Sequence, residues 1–496
     1  MTRPRHLLAL LLAPVLTGCF ASGGAGGTSD DAGDGSRLRV ALAFPPAENL
    51  TPYGADATLL SRLGVTEGLT ALDANGAAVP ALAASWTREN DRTWLFTLRE
   101  ATFQDGAKVT PAAVAAALTH ATEARPAPAA LSGVTLTAKA SGGTGVRVST
   151  KDPDPVLPLR LSSPSLAVLS AKAYDGTDRV DPVGHATGPF RLTKVLGATA
   201  ATLDRYDDYW GGRAQAAGID VKFVADGTAR ANALRTDQVD LAEAVPVAQT
   251  ATLDKGLRRA TDTTRTTSLF LNTESDVFKN PGLRAAARQA VDTSALAQGV
   301  YEGYADAGAG LYGPAVTWAE GRRVAPVGRA KAADPEGRTI TLATYDNRPE
   351  LPEVAQVVKQ QLEKAGFEVE LEVREYSRLE SDALEGRFDA FVGARNSLLD
   401  TGDPVSVLAS DFTCDGSYNL ALLCDQDVDK AVKKAEGITD TTRRQDAAMA
   451  AEAEILGTDA VVPLVHQRVI TGIGPTVSGA LLDPYERTLV GTGTRR

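Results

Sequence analysis

The apolar positions in the C-terminal half change period several times, and each change marks an element. Arg338 to Tyr345 (RTITLATY) reads as a strand. From Pro352 to Gly366, Val354, Val357, Val358 and Leu362 share one helical face, with Pro352 in the first turn and Gly366 as the stop. Phe367, Val369, Leu371 and Val373 then alternate with three glutamates, which predicts a strand with one wet face. A helix around Ser377 to Glu385 and a further strand from Phe388 to Ala394 follow. This alternation predicts an α/β lobe with a mainly parallel sheet, whose ligands sit beyond the carboxyl ends of the strands. The loop after Gly393 (ARNSLLDTGDP) is therefore the expected ligand loop. In the N-terminal half, Ser85-Trp86 and Arg92 to Leu98 place large aromatics in core-packing alternation, and Asp105-Gly106 suits a hairpin turn. Thr110-Pro111 suits the cap and first turn of an Ala-rich helix, and Tyr209-Trp210-Gly211-Gly212 an aromatic anchor before a turn.

The first residues follow another pattern. An apolar run from Leu7 to Leu16 follows Arg3, Arg5 and His6, and its roughly ten residues fall short of the ~20 needed to cross a membrane. Residues 1–18 therefore read as a secretory signal peptide. Leu16-Thr17-Gly18-Cys19 resembles the lipobox of bacterial lipoproteins, in which Cys19 receives diacylglycerol and becomes the new N-terminus. Residues 19–36, rich in Gly, Ser, Ala and Asp, then form a flexible tether. No second membrane-crossing segment is expected. The 496-residue chain has room for about three domain-sized units at roughly 150 residues each. Its net charge of −11 argues against nucleic acid and against a basic membrane-binding surface. In an exported protein the remaining two cysteines, Cys414 and Cys424, are expected to pair as a disulfide; without a nearby histidine they cannot fill a tetrahedral metal shell.

Six blocks carry a resemblance that covers nearly the whole mature chain: Glu67 to Leu118, GPFRLTKV (Gly188 to Val195), Leu203 to Gly212 ending in YDDYWGG, Asp226 to Pro246, Leu269 to Asp292, and RFDAFVG before GDP (Arg387 to Pro404). In this order they resemble the family 5 extracellular solute-binding proteins, the peptide, nickel and opine binders of ABC importers. The resemblance implies a two-lobed, type II periplasmic-binding-protein-like fold with an extra subdomain in the first lobe and a ligand cleft between lobes. Lobe I would be 37–55, 185–266 and 466–496, its subdomain 56–184, and lobe II 267–465. It also implies a monomer on the outer face of the cytoplasmic membrane, held there by lipid alone and delivering a small solute to a permease and its ATPase.

In peptide-binding members the loop before GDP carries a tryptophan and then an aspartate that takes the ligand's ammonium. The aspartate matches Asp400, and Ser397 stands at the tryptophan position. Arg348 and Arg395 are the candidate partners of a ligand carboxylate, because a guanidinium fork matches one. Tyr53 lies where the first lobe often contributes to the cleft, and Asp403 before Pro404 suits a helix N-cap. Short peptides are the expected ligand and nickel, free or chelated, the alternative. Direct coordination would draw on His120, His185 or His466, and no metal site or cofactor is expected. No GxSxG, HExxH or phosphate-cradling loop occurs, so the chain is not expected to be an enzyme. A surface sensor or interaction lipoprotein on the same fold is the remaining alternative.

Overall fold

The computed structural model describes residues 35–125, 127–176 and 179–496. The signal segment, Cys19 and the tether up to Asp34 lie outside the described residues.

An eleven-stranded sheet organises the described chain. At one edge, Glu368–Arg374, Thr339–Tyr345 and Ala390–Asn396 run parallel, as the period changes predict. Ala390–Asn396 then pairs antiparallel with Arg258–Leu271, which pairs in turn with Val461–Ile473. These two strands, 14 and 13 residues long, carry the sheet across the molecule. The far end of Val461–Ile473 meets Leu241–Ala242, and beyond it lie Arg37–Leu42, Gly218–Phe223, Ala200–Arg205 and Phe190–Leu196. Register shifts at Asp262/Thr266 and Thr267/Ser268 break the long ladder midway. A separate four-stranded sheet, ordered Ala83–Asn90, Thr93–Leu98, Gly145–Thr150, Leu136–Ser141, packs helix Pro111–Glu123.

Three apolar cores follow this division. One includes Leu342, Val354, Val358, Val392 and Leu464; a second includes Leu38, Val40, Phe190, Leu203 and Ile219; the third includes Phe96, Val114, Leu118 and Val148.

Local chemistry explains the elements. Helix Glu350–Lys364 buries Val354, Ala355, Val358 and Leu362, leaves Val357 half-buried, and stops at Gly366, whose φ of 103° lies in the left-handed region. Thr110 caps Pro111–Glu123 by accepting from the Ala113 amide at 3.2 Å. Gly106, at φ 84°, makes the Asp105-Gly106 turn, which closes a single bridge between Thr102 and Lys108. Tyr209 and Trp210 anchor the chain by donating to the Glu67 carboxylate at 2.8 and 3.1 Å.

Two expectations change. Glu368–Arg374 is the edge strand, so Val373, expected on the packed face, is 41% exposed. The helix expected over 377–385 is a 3-10 turn, Tyr376–Arg378, followed by the five-residue helix Glu380–Leu384, which lacks a side-chain cap.

Candidate ligand-binding site

Two adjacent parallel strands, Thr339–Tyr345 and Ala390–Asn396, end side by side, and the loops that leave them carry Arg348 and Asp400. Beside the first loop opens a solvent-open hollow lined by Phe44, Arg230, Tyr301, Arg348, Glu350 and Gln467 among others. Phe44 follows strand Arg37–Leu42, so carboxyl ends of strands from both halves of the sheet meet there. A second cavity is lined by Arg62, Glu243, Thr263, Asp483 and Glu486 among others.

Glu486 joins the two cavities electrostatically. It accepts from Arg265 through Nε at 2.9 Å and Nη2 at 3.2 Å, from Arg62 at 3.3 Å and from Asn396 at 3.2 Å. Arg62 also pairs with Glu243, whose other oxygen accepts from the Ala43 amide at 2.9 Å. Burial opposes the Glu486 charge, yet Arg265, Arg348 and Arg62 outweigh it and hold the carboxyl down to about 2. None of Glu486, Arg62 and Arg265 was singled out by sequence reasoning. Their partners are remote in sequence, and nothing in local periodicity marks them.

Arg348 is the exception in this cluster. Its guanidinium lies over the Phe44 ring at 5.4 Å, and it has no hydrogen bond or ion pair among the described residues. Burial and the like charges of Arg265 and Arg62 push its pKa down, with Glu486 opposing from a distance. Arg395 is fully engaged: Asp411 accepts from its Nε at 2.7 Å and Nη2 at 3.0 Å, and the Tyr418 ring covers it at 4.1 Å. Asp400, half-buried, accepts no hydrogen bond from the described residues. Burial pushes its carboxyl up, while the charges of Arg395 and Arg487 pull it back. Arg348, in the loop after Thr339–Tyr345, and Arg395 and Asp400, at and beyond the end of the neighbouring parallel strand, lie at the same end of the sheet and form one charged strip.

The remaining site residues are structural neighbours. Asp403 caps Pro404–Phe412 by accepting from the Ser406 amide at 3.0 Å and is also clamped by Arg444 at 2.7 Å through both oxygens. Ser397 spends its hydroxyl on the Thr264 carbonyl at 3.0 Å. Tyr53 is not brought to the strip: it is buried in the third core beside Tyr174, and burial raises its phenol pKa. Cys414 and Cys424 are bonded, and the loop they close supplies Tyr418.

Residues 77–419 match the model for the bacterial extracellular solute-binding proteins, family 5. The chain belongs to this family. Family 5 proteins are the substrate-binding components of ABC importers, and their two-lobed α/β fold is the one described above. Among relatives, the glutathione-binding protein GsiB of Escherichia coli (strain K12) is 25% identical over 465 residues, 88% of this chain and 90% of its own. Two solved structures share the fold. NikA from Staphylococcus aureus in complex with Ni(L-His)2 is 20% identical with a TM-score of 0.80, covering 93% of this chain and 100% of that one. A dipeptide-binding protein from Pseudoalteromonas sp. SM9913 in complex with Met-Leu is 17% identical with a TM-score of 0.81, again covering 93% and 100%.

Within this family 5 frame, the histidines sit away from the charged strip or are already engaged. His466 is 4% exposed, its Nδ1 lies 2.9 Å from the Thr266 hydroxyl, and its Nε2 accepts from the Ala309 amide at 3.3 Å. Burial and Arg323 push its pKa down to about 4, so the ring is neutral. His120 stacks on Tyr174 at 3.9 Å, and His185 Nδ1 lies 3.1 Å from the Asp181 carbonyl. Among the described residues no group of three His, Cys, Asp or Glu side chains is placed to hold a metal, and no helix is long and apolar enough to cross a membrane.

Proposed function

We propose that this protein captures a short peptide in the cleft between its lobes and delivers it to the permease of an ABC importer. The observation that carries this reading is the pairing of two unsatisfied opposite charges on one strip: the Arg348 guanidinium and the Asp400 carboxylate. A short zwitterion supplies a carboxylate to the first and an ammonium to the second. Lobe I comprises 37–55, 185–266 and 466–496 with its subdomain 56–184, and lobe II 267–465. The long strands Arg258–Leu271 and Val461–Ile473 connect them. The protein works as a monomer by binding and release, without catalysis. Cys19 carries the lipid that holds it on the outer face of the cytoplasmic membrane, where tethering raises its effective concentration at the permease.

The arginine excess around Glu486 favours a second reading, an anionic nickel chelate. Arg62, Arg265 and Arg348 outnumber the two carboxylates Glu486 and Glu243 there, and with the histidines engaged elsewhere the metal would arrive inside its own ligands.

Mass spectrometry of protein purified from its own host tests the assignment. A co-purifying short peptide is expected; a nickel complex in its place moves the assignment to the second reading. Cys19→Ser is expected to release the protein from the membrane fraction, and retention through a salt wash contradicts the anchor.

A further inference from the structure

Beside the charged strip, the C-terminal segment Asp483 to Thr488 forms a tight turn wrapped around one carboxylate. Asp483 accepts from the Tyr485 amide at 2.9 Å, the Arg487 amide at 2.8 Å and the Thr488 amide at 3.0 Å. Glu486, at φ 58°, is held in the left-handed region that a side chain rarely adopts. Three consecutive side chains thereby reach three different parts of the chain. The Tyr485 hydroxyl donates to the Ala74 carbonyl at 3.4 Å, Glu486 sits among Arg62 and Arg265, and Arg487 takes a third direction.

Arg487 is 5% exposed and ends on uncharged acceptors. Its Nε donates to the Leu399 carbonyl at 2.7 Å and its Nη2 to the Leu398 carbonyl at 3.2 Å. Its Nη1 donates to the Ser162 carbonyl at 3.2 Å and hydroxyl at 2.9 Å. Among the described residues no carboxylate pairs with it directly; burial pushes its pKa down to about 10, with Asp483 and Asp400 opposing. A buried guanidinium spent on neutral backbone oxygens is retained for what it holds in place, because its desolvation is costly. Here it holds the two carbonyls that immediately precede Asp400 against the region of Ser162, next to the core of the four-stranded sheet. Leu398 also accepts from the Gly402 amide at 3.1 Å, so the Arg487 fork fixes one side of a short closed loop whose free tip is Asp400.

We infer that Arg487 is a positioning residue of the ligand site: a clasp that fixes the Asp400 loop to the opposite side of the cleft and thereby slows ligand release. It acts through the loop backbone and does not touch the ligand. Only the ligand arm of its test rests on the function proposed above.

The test uses the full mature chain with Arg487→Gln, Arg487→Lys and Ser162→Ala. In the ligand-free protein, hydrogen exchange at the amides of 397–402 is expected to rise at least tenfold in both Arg487 variants and about threefold in Ser162→Ala. Amides of Thr339–Tyr345 serve as the folding control and stay unchanged. Lysine restores the charge beside Asp400 but not the fork, so a lysine variant that behaves as wild type overturns the clasp. So does unchanged exchange at 397–402, or a uniform rise across the chain in all three variants. With a dipeptide mixture and the nickel–histidine complex as probes, the dissociation rate is expected to rise at least tenfold with association within twofold; an unchanged dissociation rate overturns the clasp. If wild type binds neither probe, the proposed ligand is contradicted while the exchange result still decides the clasp.

Discussion

Two neighbouring loops of the same sheet treat their charges in opposite ways. After Ala390–Asn396, every strong charge but one is answered: Arg395 by Asp411 and Tyr418, and Asp403 by Arg444 and the Ser406 amide. After Thr339–Tyr345, half-buried Arg348 lies over the Phe44 ring, its guanidinium has no hydrogen bond or ion pair among the described residues, and Glu486 acts on it only at a distance. The residue type is the same in Arg348 and Arg395, and both lie at the carboxyl end of a strand, Arg395 as the last but one residue of its strand and Arg348 three residues beyond its own. The difference lies in supply, because Pro404–Phe412 carries Asp411 back to Arg395, whereas no carboxylate among the described residues forms an ion pair with Arg348. An arginine in a cleft is therefore read by what already holds it. A satisfied one builds the wall, and an unsatisfied one is the candidate for the ligand.

The largest expected effect breaks the satisfied side. Arg395→Ala leaves the Asp411 side chain, 2% exposed, without its partner, and removal of one member of such a pair costs about 3 to 5 kcal/mol. Urea denaturation should show that loss as a lower midpoint; an unchanged midpoint would place Arg395 with the ligand-facing groups instead. Arg348→Ala should do the reverse, leaving the ligand-free protein as stable as wild type or more so. Dipeptide affinity should fall roughly 10- to 100-fold, in line with about 1.5 to 3 kcal/mol for a hydrogen bond to a charged group. Calorimetry together with denaturation separates the two outcomes, and a destabilised Arg348→Ala that keeps its affinity would erase the contrast.

The smallest effect concerns Asp400 without ligand. Its carboxyl pKa is raised by burial, so the folded state binds the proton more tightly than the unfolded chain does. Stability from this group is greatest at acid pH and declines as pH rises from the unfolded value through the folded one. Asp400→Asn should accordingly raise the thermal midpoint of the free protein at neutral pH and leave it unchanged at strongly acid pH. A midpoint that moves the other way at neutral pH means that Arg395 and Arg487 need the charge more than burial penalises it.

Much of the sheet was legible because period follows packing. Val354, Val358 and Leu362 fall on the buried face as their spacing requires, and Thr110 and Asp403 cap as their side chains allow. Val373 shows the limit, since alternation tells which residues share a face but not whether anything covers that face. The rule of carboxyl strand ends pointed to the loops that carry Arg348 and Asp400, which the structure places at one end of the sheet. What filled the space around them was not legible. Glu486 meets Arg265 across 221 positions and Arg62 across 424, and Arg487 meets Ser162 across 325. Such contacts are set by the return of the C-terminal segment, on which the sequence near each residue is silent.

The most direct test of the account is a calorimetric titration of the wild-type protein and Asp400→Ala with a dipeptide mixture, run beside the nickel–histidine complex. If Asp400 answers the ligand's ammonium in an enclosed cleft, its loss leaves a buried cation unpaired at about 3 to 5 kcal/mol. Peptide binding should then weaken by roughly 100-fold or more. Peptide binding that survives in Asp400→Ala, or a wild type that binds the nickel complex and no peptide, would contradict it.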